Sequence, residues 1–178
     1  MPESGTAVDS FTLGQVIRAS GPLLTRFLDG LAGDQATTQA PGLPNHPVWT
    51  LGHCALTMHK LAGAIDGNEL PDEDFVQGDG RDGDTHRYDT ESVCFGSVPM
   101  IDPSRYPSLA RGRTIFDRGV ERLATAAERA SDLDVAIDWH GAHTPAGRLI
   151  MRVAFHNGCH AGQLTDLRRA LGLPPVIQ

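Results

Sequence analysis

His156-Asn157-Gly158-Cys159-His160-Ala161-Gly162-Gln163-Leu164 lies inside a long amphipathic run, and both ends of that run can be read. Thr144-Pro145 pairs a capping residue with a proline suited to the first helical position. Gly172, followed by Pro174-Pro175, is a stop signal. Between them Leu149, Val153, Leu164, Leu167 and Leu171 recur at spacings of three and four, which predicts one helix. On an ideal helix Leu149, Val153 and Leu167 fall within about 60° of His156. His156 and His160 are separated by about 40° around the axis and about 6 Å along it. Both imidazoles therefore project toward a core, where an unpartnered polar ring is costly.

Three further helical stretches precede this one. Phe11 to Leu31 carries Leu13, Val16, Ile17, Leu23, Leu24, Phe27, Leu28 and Leu31, with Asp9 or Ser10 as cap and a kink or break expected at Gly21-Pro22. The second opens at Asn45-His46-Pro47, carries Trp49, His53, Leu56, Thr57 and Leu61, and stops at Gly67. The third runs from about Ser108 to Ala130 on a stripe of Leu109, Phe116, Val120, Leu123 and Ala127. Four amphipathic helices sharing one core predict an all-α fold, a four-helix bundle, as a single domain over residues 1–178.

Residues 66–102, between helices two and three, break the pattern. They hold 11 of the 22 acidic residues, with only Arg81 and Arg87 against them. Gly, Asp and Pro at this density predict a long irregular acidic insertion, read here as a solvated loop. A shorter irregular piece, Val135 to His143, leaves room for a short extended segment before the last helix.

Composition narrows the function. The net charge is -7 with 15 basic residues, and no basic stripe stands out, which argues against nucleic acid as a partner. No run of about 18 apolar residues is present, so no membrane partner is expected. Met1 to Ser10 has no positive n-region, so no secretory signal is expected. Three cysteines do not make a disulfide framework and point to a reducing, cytoplasmic setting. Eight histidines stand against a single lysine, and imidazole is the commonest metal ligand.

Two imidazoles one turn apart can share an ion, and His53 can complete the set if helices two and four face each other. Three protein ligands with an open water position is the catalytic pattern, whereas a structural ion takes four. Zn or Ni is expected, although imidazole also suits Fe and Cu, so ligand type does not itself choose the metal. Position 157 is Asn, so the His-Glu-x-x-His metalloprotease arrangement is excluded. Gln163 and Thr57, each within a turn of a histidine, are candidates to orient the ligands, and Cys159 is a candidate to pack beside the site. His59 is read as a surface residue, and His46 as part of a helix start.

Trp49-x-x-Gly52-His53, the Thr144-Pro145 start, His156-x-x-x-His160-x-Gly162-Gln163 and the closing Leu171-Gly172 together resemble the DinB/YfiT-like superfamily, in order and over most of the chain. The resemblance implies a DinB-like bundle of up-down-down-up arrangement, and a divalent metal held by residues matching His53, His156 and His160. It implies a metal-dependent hydrolase, or a transferase using a low-molecular-weight thiol such as mycothiol, acting on a small-molecule substrate. Ala161 stands where the family commonly has Arg. A non-catalytic bundle with a structural or sensed ion is the alternative. Pairing of two copies as a homodimer through an exposed helix face is open.

Overall fold

A computed structural model describes residues 9–78 and 84–177. Four helices account for most of the described chain, with two small two-stranded sheets: α1 (Ser10–Arg26), α2 (Pro47–Asp66), α3 (Leu109–Arg129) and α4 (Ala146–Ala170), with β1 (Phe75–Val76), β2 (Tyr88–Asp89), β3 (Ala136–Trp139) and β4 (Ala142–Pro145). The caps follow local chemistry. Asp9 accepts from the Thr12 N–H at 2.8 Å, and Ser108 from the Arg111 N–H at 3.2 Å. His46 caps α2 by accepting from the Trp49 N–H, and its other ring nitrogen donates to the Met100 carbonyl. Gly67 ends α2 at φ 77°, a conformation suited to glycine.

Helix α1 packs on α3 and α4, and α2 packs on α3 and α4, around one shared core. Residue pairings give the directions. Ser20 meets Asn157 and Phe27 meets Arg168, so α1 and α4 run parallel. Gly14 faces Glu128 and Gly21 faces Val120, so α1 and α3 run antiparallel. Asn45 reaches Gln163 while His53 meets His156, so α2 runs against α4. Helix α2 is the central element, with 14 of its 20 residues buried.

Three expectations are corrected. Helix α1 runs unbroken through Pro22 and ends at Arg26; Phe27 and Leu28 join the core from the turn beyond it. Pro22 lies on the exposed side, while its neighbour Gly21 lets Val120 of α3 approach closely. Thr144-Pro145 belongs to β4, because Ile137 pairs with Thr144 and Ala136 with Pro145, so α4 starts at Ala146. His59 is buried, edge-on to Phe75 at 5.3 Å.

The described part of the acidic segment is not a solvated loop. Phe75, Tyr88 and Val93 are buried in the core, and β1 and β2 pair in parallel. Tyr88 fills a notch made by two glycines: a Cβ at Gly52 of α2 would sit 2.5 Å from its ring, and one at Gly112 of α3 would meet its hydroxyl. That hydroxyl donates to the Val48 carbonyl at 2.8 Å. Asp74, also buried, accepts from Arg111 at 2.7 Å and Arg118 at 3.0 Å. Arg122 donates to the carbonyls of Asn68 and Glu69. Positions 111, 118 and 122 fall on one face of α3. A basic stripe therefore exists, and it is used against the chain's own acidic segment. Residues 79–83 of that segment, and residues 1–8 and 178, lie outside the described residues.

Candidate metal centre

The sequence places His53 mid-way along α2, and His156 and His160 one turn apart on α4. Antiparallel packing of α2 on α4 brings the three rings to one point. His156 Nε2 lies 3.0 Å from His53 Nε2 and 3.2 Å from His160 Nε2. The candidate ligand atoms all fall within 4.8 Å of one another, and no Cys, Asp or Glu joins the group among the described residues.

Partners on the far side of two rings decide where the protons sit. His53 Nδ1 lies 2.8 Å from the Val93 carbonyl, which can only accept, so Nδ1 carries the proton and Nε2 presents a lone pair. His160 Nδ1 donates to Gln163 Oε1 at 2.9 Å, and that oxygen also accepts from Asn45 Nδ2 at 3.1 Å. Its Nε2 is therefore unprotonated too. A proton on His156 Nε2 can satisfy only one of these two lone pairs, which leaves the other for a cation or a water to match. His156 Nδ1 is itself buried without a partner. The donor set fits a divalent ion: three neutral imidazoles, two oriented by hydrogen bonds from their outer nitrogens, as metal-bound histidines are.

Burial also keeps the rings neutral. It lowers His53, and it pushes His160 down to about 4, with the His53 ring adding to the shift. For His156, burial and then the His160 and His53 rings push the value down to about 3. Neutral imidazole is the form that binds metal. The indole of Trp49 stacks on His53 at 4.6 Å between centroids and 8° between planes. Its own N–H donates to the Ser92 carbonyl and the Ser97 hydroxyl, at 3.0 and 3.1 Å. The wall behind His53 is thus made by α2 together with residues 92–97 of the acidic segment.

A model of the DinB superfamily matches residues 17–164, which include all three histidines. The chain belongs to the DinB superfamily. No curated protein and no solved structure matched.

The other candidates fall in different places. Gln163 touches the cluster through His160. Thr57 bonds to the backbone of a candidate ligand, its hydroxyl donating to the His53 carbonyl at 2.8 Å. Cys159 is exposed and lines an apolar groove with Val16 of α1 and Met151 and Phe155 of α4. Asn157 is buried on the α1 side and donates to Ser20 at 3.0 Å. The residues that sequence reasoning missed are Asn45 and the Val93 carbonyl. Trp49, four residues before His53, carried a helical-spacing signal; a backbone carbonyl from a distant loop carried none. All three cysteines are free, and no helix among the described residues is long and apolar enough to cross a membrane.

Proposed function

We propose that His53, His156 and His160 hold one divalent ion, Zn or Ni, and that this DinB-superfamily protein is a cytoplasmic metal-dependent enzyme acting on a small molecule. The reaction is hydrolysis, or transfer of a low-molecular-weight thiol of which mycothiol is one example. The observation that carries the reading is the convergence of three Nε2 atoms, two with lone pairs fixed by outer hydrogen bonds. When bound, such an ion supplies Lewis acidity and favours the deprotonated form of water or a thiol at its open position.

The chain's own residues do the rest. Val93 and Gln163 hold the tautomers and ring orientations of His53 and His160. Trp49 fixes the plane of His53 and keeps that side of the cluster dry. His53 and His160 keep 7% and 8% of their surface and His156 is half-buried, so the cluster is not sealed from solvent. The lack of a fourth ligand-type side chain among the described residues supports an open position over a closed structural shell.

Metal analysis of the purified protein tests the reading. One divalent ion per wild-type chain and a large loss in His156→Ala are expected. Equally little metal in both would overturn the shared site. One ion bound without any exchangeable water would move the reading to a structural ion.

A further inference from the structure

Past His53, the same face of α2 continues through Leu56, Thr57 and Lys60, all within about 60° of His53 on an ideal helix. These three side chains line a cavity of about 190 Å³ together with Cys94 and with Trp139 and His140 at the tip of the β3–β4 hairpin. None of the three histidines lines the cavity, but two of its residues are tied to the frame that holds His53. Thr57 is bonded to the His53 carbonyl, and Cys94 follows Val93, whose carbonyl holds the His53 ring. Because α4 runs against α2, the hairpin leading into α4 arrives beside the residues of α2 beyond His53.

Three features give the cavity a chemical character. First, no carboxylate among the described residues lines it, although 11 acids lie in the segment that supplies Cys94. Second, Lys60, the single lysine of the chain, borders it and has no ion-pair partner among the described residues. Third, His140 holds φ 54°, a left-handed conformation uncommon for a non-glycine residue, and its ring sits 5.4 Å from that of Phe95. The volume is below the roughly 300–1,000 Å³ of a pocket that takes a whole ligand. It suits one arm of a ligand. Seven residues of helix separate Lys60 from His53, about 10 Å along the axis, and a lysine side chain on a helix leans back toward the N-terminal turn.

We propose that this cavity binds the carboxylate end of an elongated small molecule whose reacting group lies at the three histidines, with Lys60 as the anion's partner and a span of about 5–10 Å between the two ends. The proposal rests on the reading of the histidines as a metal centre.

The two tryptophans of the chain report separately on the two ends. Trp49 stacks on His53, and Trp139 lines the cavity. Zn-loaded protein with labelled indole nitrogens is titrated with ω-mercapto carboxylic acids of increasing chain length and with the matching amides. At one intermediate length the acid is expected to bind about three- to tenfold more tightly than its amide, shifting both indole signals. In Lys60→Met the preference is expected to vanish while amide affinity and zinc content stay unchanged. Equal binding of acid and amide at every length, or a preference that survives Lys60→Met, overturns the proposal. Failure of the metal reading shows up differently: zinc addition would leave the Trp49 signal unmoved. In that case the long-chain acids without a thiol, titrated against the Trp139 signal, still decide whether Lys60 recognises a carboxylate.

Discussion

Helix α4 and the acidic segment between α2 and α3 are opposite cases of how a sequence carries structure. Helix α4 announces itself through period, spacing and stop signals within one short stretch. The acidic segment has no period, yet it supplies core side chains and the carbonyl that orients His53. Its buried core anchors, Phe75, Tyr88 and Val93, recur at neither a helical nor a strand period, so they form no stripe. What seats them is complementary shape elsewhere: two glycines, Gly52 and Gly112, sixty residues apart in sequence and joined only by the fold. Local pattern is a sufficient signal for an element that packs along one face. It is blind to an element held by scattered anchors.

The sharpest way to break that contrast is to remove an anchor. Tyr88→Ala is expected to cost about 4 kcal/mol, the range for a fully buried aromatic, because neither glycine can refill the notch. Tyr88→Phe keeps the ring and loses only the bond to Val48, at about 1 kcal/mol. Urea unfolding measures both. If Tyr88→Ala were as mild as Tyr88→Phe, the segment would be the loose loop its composition suggests.

Acid should act next. Burial first, then Arg122 and Arg118, pushes His59 down to about 4, and burial pushes His46 down to about 4. Both rings charge more readily in the unfolded chain, near 6.5. Their contribution is therefore complete above pH about 6.5 and is lost progressively as pH falls toward 4, up to about 3 kcal/mol per ring. The three clustered histidines act in the same direction. Unfolding free energy followed from pH 8 to pH 4.5 should fall steadily, and a flat profile would contradict the burial of these rings.

Asp74→Asn should cost about 2 kcal/mol, since Arg111 and Arg118 are partly solvated and lose only one buried partner. Gln163→Ala should leave the fold intact and weaken metal binding about 10- to 100-fold, as loss of an outer hydrogen bond to a metal-bound histidine does. At the small end, Cys159→Ser should change stability by less than about 0.5 kcal/mol and leave metal content untouched, because the thiol is exposed on the α1 side.

Much of the fold was legible. Asp9, one of two residues offered as the first cap, takes that place, α2 opens within Asn45-His46-Pro47 and stops at Gly67, and α3 begins next to Ser108, as local hydrogen-bonding chemistry directs. The convergence of His53 with His156 and His160 was legible as well, once α2 and α4 were taken to face each other. His59 was misplaced because it projects about 120° from His53 on an ideal helix, away from the face taken as buried; the fold instead covers it with Phe75 from the acidic segment. The start of α4 was misplaced because Thr-Pro reads equally as a helix cap and as the end of a strand. The Val93 carbonyl was invisible, since every residue carries that group and only the tertiary fold brings this one to His53.

Zinc-edge X-ray absorption of the zinc-loaded protein tests the central claim most directly. Three imidazole nitrogens and one or more oxygens at about 2.0–2.1 Å, with no sulfur, are expected. A sulfur shell at about 2.3 Å, or a shell closed by four protein ligands, would contradict an open three-histidine centre.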